Sequence, residues 1–153
     1  MNLDAIGRFQ QLYHQLNKHD TDRALLEVVY SNDIEFRDPF HHIEGLDNLS
    51  RYFKEMYANV EDIRFDFGSA WQHEHLQNAQ YQSQQQSFIR WQMSYRHPKI
   101  NAGKTVTVDG GSELIWRDDK VIFHRDFFDA GQMLYEHLPV MGWAIRKLKE
   151  RMA

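Results

Sequence analysis

The sequence predicts an α+β fold in which helices precede an antiparallel meander, and three observations carry that prediction. Apolar residues recur at three- and four-residue steps before residue 60, which is the helical period. From Ile63 to Phe128 the dominant period becomes two, which is that of half-buried strands. Between these regimes lies Phe36-Arg37-Asp38-Pro39-Phe40. There proline fixes its own φ, removes a backbone donor and biases Asp38 away from the helical region, so a short strand must stop. The 153 residues, 42% hydrophobic and 14% aromatic, suit a single domain with a proper core.

Leu3, Ile6, Phe9, Leu12, Tyr13 and Leu16 mark a first amphipathic helix with Asn2 as its cap. Tyr13 lies near the centre of the apolar stripe and His14 falls off it. Polar Asn17 to Thr21 connects to a short second helix carrying Leu25, Leu26 and Val29, which ends near Tyr30. Ile34 to Arg37 forms the short strand. Past Gly45, the spacing of Leu46, Leu49, Tyr52 or Phe53, and Met56 predicts a third helix.

Ile63, Phe65 and Phe67 then alternate with polar neighbours, Gly68 interrupts, and the pattern resumes around Trp71, which fits a bulged strand. Gln77-Asn78-Ala79 supplies a turn. Tyr81 to His97 reads as one long strand, with Ile89, Trp91, Met93 and Tyr95 on one face. Pro98 to Lys104 is a loop, Thr105 to Trp116 the next strand, Arg117 to Lys120 a hairpin turn, and Val121 to Phe128 the last strand. On that strand alternation sets His124, Asp126 and Phe128 against Val121, Phe123, Arg125 and Phe127. After Gly131 a helix starting near Pro139 carries Met141, Ala144, Ile145, Leu148 and Met152 on one side and Arg146, Lys147, Lys149 and Arg151 on the other. Such a basic amphipathic helix suits a membrane surface, but one this short more often docks its stripe on its own domain. Docking is the expectation, with residues 132–153 packed as an extension on a domain of residues 1–131.

A formal charge of -4 gives no general attraction to phosphate backbones, so no nucleic-acid partner is expected. The absence of cysteine removes disulfides and thiol catalysis. Met1-Asn2-Leu3-Asp4 lacks a basic region followed by an apolar run, and no segment approaches the length of a membrane span, so a cytoplasmic protein with no membrane partner is expected. Nine histidines raise the question of metal. Adjacent His41 and His42 on extended chain point apart, and His73 and His75 share a face without a third ligand at suitable spacing, so neither metal nor cofactor is expected.

Tyr30-Ser31-Asn32-Asp33-Ile34-Glu35-Phe36-Arg37-Asp38-Pro39 resembles the signature of the nuclear-transport-factor-2-like superfamily, and Gly45-Leu46-Asp47-Asn48-Leu49-Ser50-Arg51-Tyr52-Phe53 resembles the glycine and helix that follow it. His124-Arg125-Asp126-Phe127-Phe128-Asp129 is similar to the terminal strand of its SnoaL-like polyketide-cyclase branch. The resemblance implies a curved antiparallel or mixed sheet wrapped as a cone around the N-terminal helices, with a cavity inside and a homodimer through the outer sheet face.

It also implies site residues. In the related ketosteroid isomerases the aspartate of this Asp-Pro element is the general base, a role that falls on Asp38. The resemblance places His124, Asp126 and Phe128 on the cavity side, where His124 and Asp126 could act as an acid–base pair. Counting back from Asp38, the isomerase's oxyanion tyrosine corresponds to His14 or, with a shift of one, Tyr13, and the helical face favours Tyr13. Its second donor corresponds to Ser112. Trp91, Tyr95, Phe128 and Phe53 would form the wall around a small apolar molecule. Two functions fit this pattern: an isomerase, cyclase or dehydratase acting on an apolar carbonyl compound, and a non-catalytic binding module. A protein-interaction role through the outer sheet and the basic helix is a third.

Overall fold

The computed structural model describes residues 3–73 and 84–153. Three helices, α1 (Leu3–Gln15), α2 (Arg23–Leu26) and α3 (Leu46–Tyr57), surround the first strands β1 (Tyr30–Arg37) and β2 (His42–Glu44). The meander follows as β3 (Glu61–His73), β4 (Gln85–Arg96), β5 (Val106–Arg117) and β6 (Lys120–Phe128). All six strands form one sheet in the order β2-β1-β6-β5-β4-β3, whose ends do not meet, so the sheet curves without closing. It is mixed, because β1 runs parallel to β6 while the other neighbours are antiparallel. Ile6, Phe9, Leu12 and Tyr13 of α1, Leu16 just beyond it, and Leu46, Leu49, Phe53 and Tyr57 of α3 are buried in one core with the inner sheet face. The α+β class and the helix periodicities are therefore as the sequence predicts; the Asn2 cap lies outside the described residues.

The first departure concerns α2, which stops at Leu26, so that β1 begins at Tyr30 rather than at Ile34. Tyr30 pairs with Val121, whose amide donates to the Val29 carbonyl at 2.8 Å. A parallel ladder to a residue 91 positions away overrides the local helical spacing. The second is β2, three residues too short to show a period, which folds back on β1 and pairs Phe36 with Ile43. Gly45 then starts α3 at φ 88°, a left-handed backbone that side chains rarely adopt.

In β3 the register shifts between Phe67 and Ala70, which places the expected bulge at Gly68. The turn at Gln77-Asn78-Ala79 and the expected strand start at Tyr81 lie outside the described residues. In β5, Gly110 and Gly111 have opposite tasks: a Cβ at Gly110 would overlap the Trp91 ring, and one at Gly111 the Phe88 ring. The pair lets one aromatic ring lie across each face of the strand. β6 carries a bulge, since Phe123 pairs with Ile115 but Val121 with Trp116. The extra residue reverses the alternation, so Val121 turns into the core instead of sharing the face of Phe123, Arg125 and Phe127.

Beyond β6 the chain forms α4 (Ala130–Met133), a 3-10 turn (Tyr135–His137) and α5 (Pro139–Met152). The start at Pro139 matches its preference for a first helical turn. The expected docking of the apolar stripe is not what the structure has. Met141, Leu148 and Met152 are exposed, because α5 packs against the 3-10 turn through Gly142 on a different face. Among the described residues no helix is long and apolar enough to cross a membrane.

Candidate functional site

Asp38 closes the turn that its proline neighbour demands. Its Oδ1 accepts from the backbone amides of Phe40 (2.8 Å) and His41 (2.7 Å), and its own amide donates to the His41 carbonyl at 3.0 Å. These bonds make an Asx turn. The other oxygen, Oδ2, faces inward and accepts from the Tyr52 hydroxyl at 2.7 Å. The ring Nδ1 of His41 lies 3.2 Å from both Asp38 Oδ1 and the Tyr52 oxygen. Burial, followed by the Asp38 carboxylate, pushes the Tyr52 phenol well up, so Tyr52 holds its proton.

Asp38 and Tyr52 stand at the edge of a pocket of about 440 Å³ whose wall is mostly aromatic and aliphatic. Tyr13, Phe53, Trp91, Tyr95, Asp126 and Phe128 line the same pocket, so most of the residues predicted from sequence are brought together. His124 and Ser112 are not on its surface. They stand one layer behind, buried, and reach the pocket through Asp126.

That second layer is a continuous chain of hydrogen bonds. Trp91 Nε1–H donates to Ser112 Oγ (2.9 Å), and the Ser112 hydroxyl donates to Asp126 Oδ1 (2.5 Å). His124 Nε2 lies 2.6 Å from the same Oδ1. On its other side His124 Nδ1 meets the Tyr30 hydroxyl at 2.7 Å, and Tyr30 meets the Tyr13 hydroxyl at 2.7 Å. With Asp126 ionised and His124 neutral, one polarity satisfies every member: Nε2–H donates to Asp126, Tyr30 donates to Nδ1, and Tyr13 donates to Tyr30. A second proton on the imidazole would sit on Nδ1 and donate to Tyr30. Tyr30 would then turn toward Tyr13, and the Tyr13 hydroxyl proton would be released toward the pocket. Burial first, with Asp126 and neighbouring tyrosines adding to it, raises the Tyr13 phenol far above the ordinary value; burial does the same for Tyr30.

Aromatic rings fix this chain. His124 is stacked on Tyr30 and meets Phe36 edge-on at 4.8 Å. Among the described residues no hydrogen bond falls on Asp126 Oδ2, so that oxygen is the free acceptor of a carboxylate that lines the pocket. On the far side the Tyr95 hydroxyl donates to the Met133 carbonyl at 2.5 Å, and burial pushes its phenol up to about 12. Tyr13, not His14, is the inward member of its pair: His14 is exposed and its Nε2 lies 3.2 Å from the Phe65 carbonyl.

Sequence reasoning missed two members of the site. Tyr52 and Phe53 were alternatives for one apolar position, whereas both are used, Phe53 in the core and Tyr52 on Asp38. Tyr30 looked like a helix end, and only its place as the first tyrosine of the β1 segment hinted at more. His42 pairs with Glu35 at 3.0 Å, away from His41, as adjacent strand positions require. Glu74 and His75 lie outside the described residues.

A family model described as a SnoaL-like domain matches residues 9–124. No curated protein matches the chain. Among solved structures, a protein from Catenulispora acidiphila with a ketosteroid-isomerase-like fold, in complex with trimethylamine, has a TM-score of 0.67 at 12% identity, over 91% of this chain and 96% of its own. A protein from Jannaschia sp. described as a SnoaL-like polyketide cyclase has 0.64 at 10%, over 83% and 86%. An LEH-like epoxide hydrolase from M. tuberculosis has 0.60 at 13%, over 85% and 84%. At these identities the likeness is one of fold.

Proposed function

The chain belongs to the SnoaL-like family, and from that premise we propose that it converts a small apolar carbonyl compound by acid–base chemistry of its own side chains, as an isomerase, cyclase or dehydratase. One observation carries this reading: a buried imidazole, His124, is bonded on one side to Asp126 and on the other, through Tyr30, to Tyr13, and both Asp126 and Tyr13 line a mostly apolar pocket. An apolar compound fills such a wall, and its carbonyl group is the part that needs polar contacts.

Asp126 Oδ2 takes a proton from the carbon next to the carbonyl. Tyr13, held as a neutral phenol by burial, is the donor for the enolate oxygen, while Tyr52 keeps its proton on Asp38. His124 holds Asp126 in place and, when it carries the second proton, frees the Tyr13 hydroxyl for the enolate oxygen. Asp38, bonded to Tyr52, serves the opposite wall as the second acid–base group. Asp38 thus stays in the site, but the first base is the carboxylate with a free oxygen.

Enolisation can be read without knowing the natural substrate. A panel of cyclic ketones incubated with the protein in heavy water should exchange protons next to the carbonyl, followed by NMR. Asp126→Asn should abolish the exchange while leaving ketone affinity within about threefold, and Asp38→Asn should slow it less. Ketone binding without exchange in the unaltered protein would sink the enzymatic reading. It would favour a binding module, a reading supported by the fact that each member of the chain from Trp91 to Tyr13 already has a partner.

We also propose a homodimer through the outer sheet face. It presents exposed Trp71 and Phe127 with Phe88 between them, and Arg125 lies 4.7 Å over the Phe127 ring. Light scattering of the Phe127→Asp variant against the unaltered chain tests it.

A further inference from the structure

The C-terminal helix is held by its polar side and shows its apolar side to solvent. Gly142, Arg146 and Lys149 recur at steps of four and three, so they share one face. All three meet Glu136: a Cβ on Gly142 would overlap its carbonyl, Arg146 Nη1 donates to that carbonyl at 3.0 Å, and the Lys149 ammonium pairs with its carboxylate. This leaves Val140, Met141, Leu148 and Met152 exposed, from 47% to 80%. Spacings of four, three and four from Met141 through Ile145 and Leu148 to Met152 put these residues on one continuous face. Trp143 is exposed as well, at 60%.

Charge decides what can cover this face. Arg146, Lys147, Lys149 and Arg151 stand against a single acid on the helix, Glu150, in a protein whose net charge is -4. Arg146 and Lys149 are engaged by Glu136, so Lys147 and Arg151 border the apolar face, Lys147 only 3.5 Å from Glu150 in an exposed pair that contributes little. A second copy of the helix laid on this face would bring like-charged rims together with no acid among the apolar residues to offset them. An anionic lipid surface complements both parts: headgroups for the cations and the acyl boundary for the aliphatic side chains.

We propose that α5 lies in the headgroup layer of anionic bilayers, with Met141, Ile145, Leu148 and Met152 dipped toward the acyl chains. The helix lies on the membrane and does not cross it.

The test uses the full chain and vesicles of phosphatidylcholine with or without phosphatidylglycerol. The protein should sediment with the mixed vesicles and not with pure phosphatidylcholine, and added salt should release it. Lys147→Gln with Arg151→Gln should weaken binding about thirtyfold, on the order of fivefold for each cation lost. Leu148→Asp, at a side chain 58% exposed, should abolish it. No sedimentation with anionic vesicles, or binding that Leu148→Asp leaves intact, overturns the proposal. So does a loss of self-association in Leu148→Asp without lipid, which would assign the face to a second copy.

Discussion

Asp38 and Asp126 face one pocket from walls built by opposite means. Asp38 is placed by its own stretch of chain: three of its hydrogen-bond partners lie within three residues, and only Tyr52 comes from elsewhere. Asp126 is placed by the whole fold. Ser112 from β5, His124 from β6, Tyr30 from β1 and Tyr13 from α1 meet in one buried chain around it. At Asp38 the local amides take Oδ1 and the Tyr52 hydroxyl of α3 fills Oδ2, so neither oxygen is left free. At Asp126 the partners Ser112 and His124 converge on Oδ1 and leave Oδ2 without one. The more expensive construction is thus the chemically freer one.

Alkaline pH should produce the largest effect, because it strikes both walls. Burial is the main cause that raises the phenols of Tyr13, Tyr30, Tyr52, Tyr57 and Tyr95. The folded state therefore prefers them protonated, whereas the unfolded chain ionises them near pH ~10. Their contribution to stability is whole below that pH and declines as pH rises above it. Absorbance at the phenolate band should stay low until a cooperative loss of circular dichroism. A gradual phenolate signal near pH ~10 with the fold intact would show both walls to be open to water.

The next effect separates the walls. His124→Leu removes the donor of Asp126 and the acceptor of Tyr30 at a site with no exposure. Losing a hydrogen bond to a carboxylate and leaving the Tyr30 hydroxyl without its acceptor should cost about 2–4 kcal/mol in denaturant unfolding. Tyr30→Phe keeps the ring and leaves His124 Nδ1 and the Tyr13 hydroxyl without their partner, for about 1–3 kcal/mol. A cost below about 1 kcal/mol for His124→Leu would mean that the chain is loosely held. Gly110→Ala belongs in the same range, about 1–3 kcal/mol, because the Trp91 ring that donates to Ser112 must move.

The two walls also differ in how far the sequence discloses them. Helical and strand periods located α1, α3 and the meander, since each is a local pattern repeated several times. Pro39 located the Asp38 turn for the same reason. Tyr30 was invisible because its strand partner, Val121, is 91 positions away and the polar Ser31-Asn32-Asp33 between hides the strand. The bulge that turns Val121 inward leaves no mark in the alternation, being one extra residue at Ile122. The family likeness, and not periodicity, turned polar His124 and Asp126 toward the interior. α5 shows the limit of amphipathic patterns: the stripe was legible, but which face met the domain depended on Glu136, on a short turn with no period of its own.

The smallest effect expected is on the Asp38 wall, and it is the sharpest test of the contrast. Tyr52→Phe removes one hydrogen bond from Asp38 Oδ2 while the two backbone amides keep Oδ1 in place. The phenol is only partly buried, and water can take its position at the pocket edge, so the loss should be about 0.5–1.5 kcal/mol. Tyr52→Phe combined with Tyr30→Phe should be additive within about 0.5 kcal/mol, because no shared hydrogen bond joins the two tyrosines. A coupling well above that in the double-mutant cycle would mean that both carboxylates belong to one network spanning the pocket.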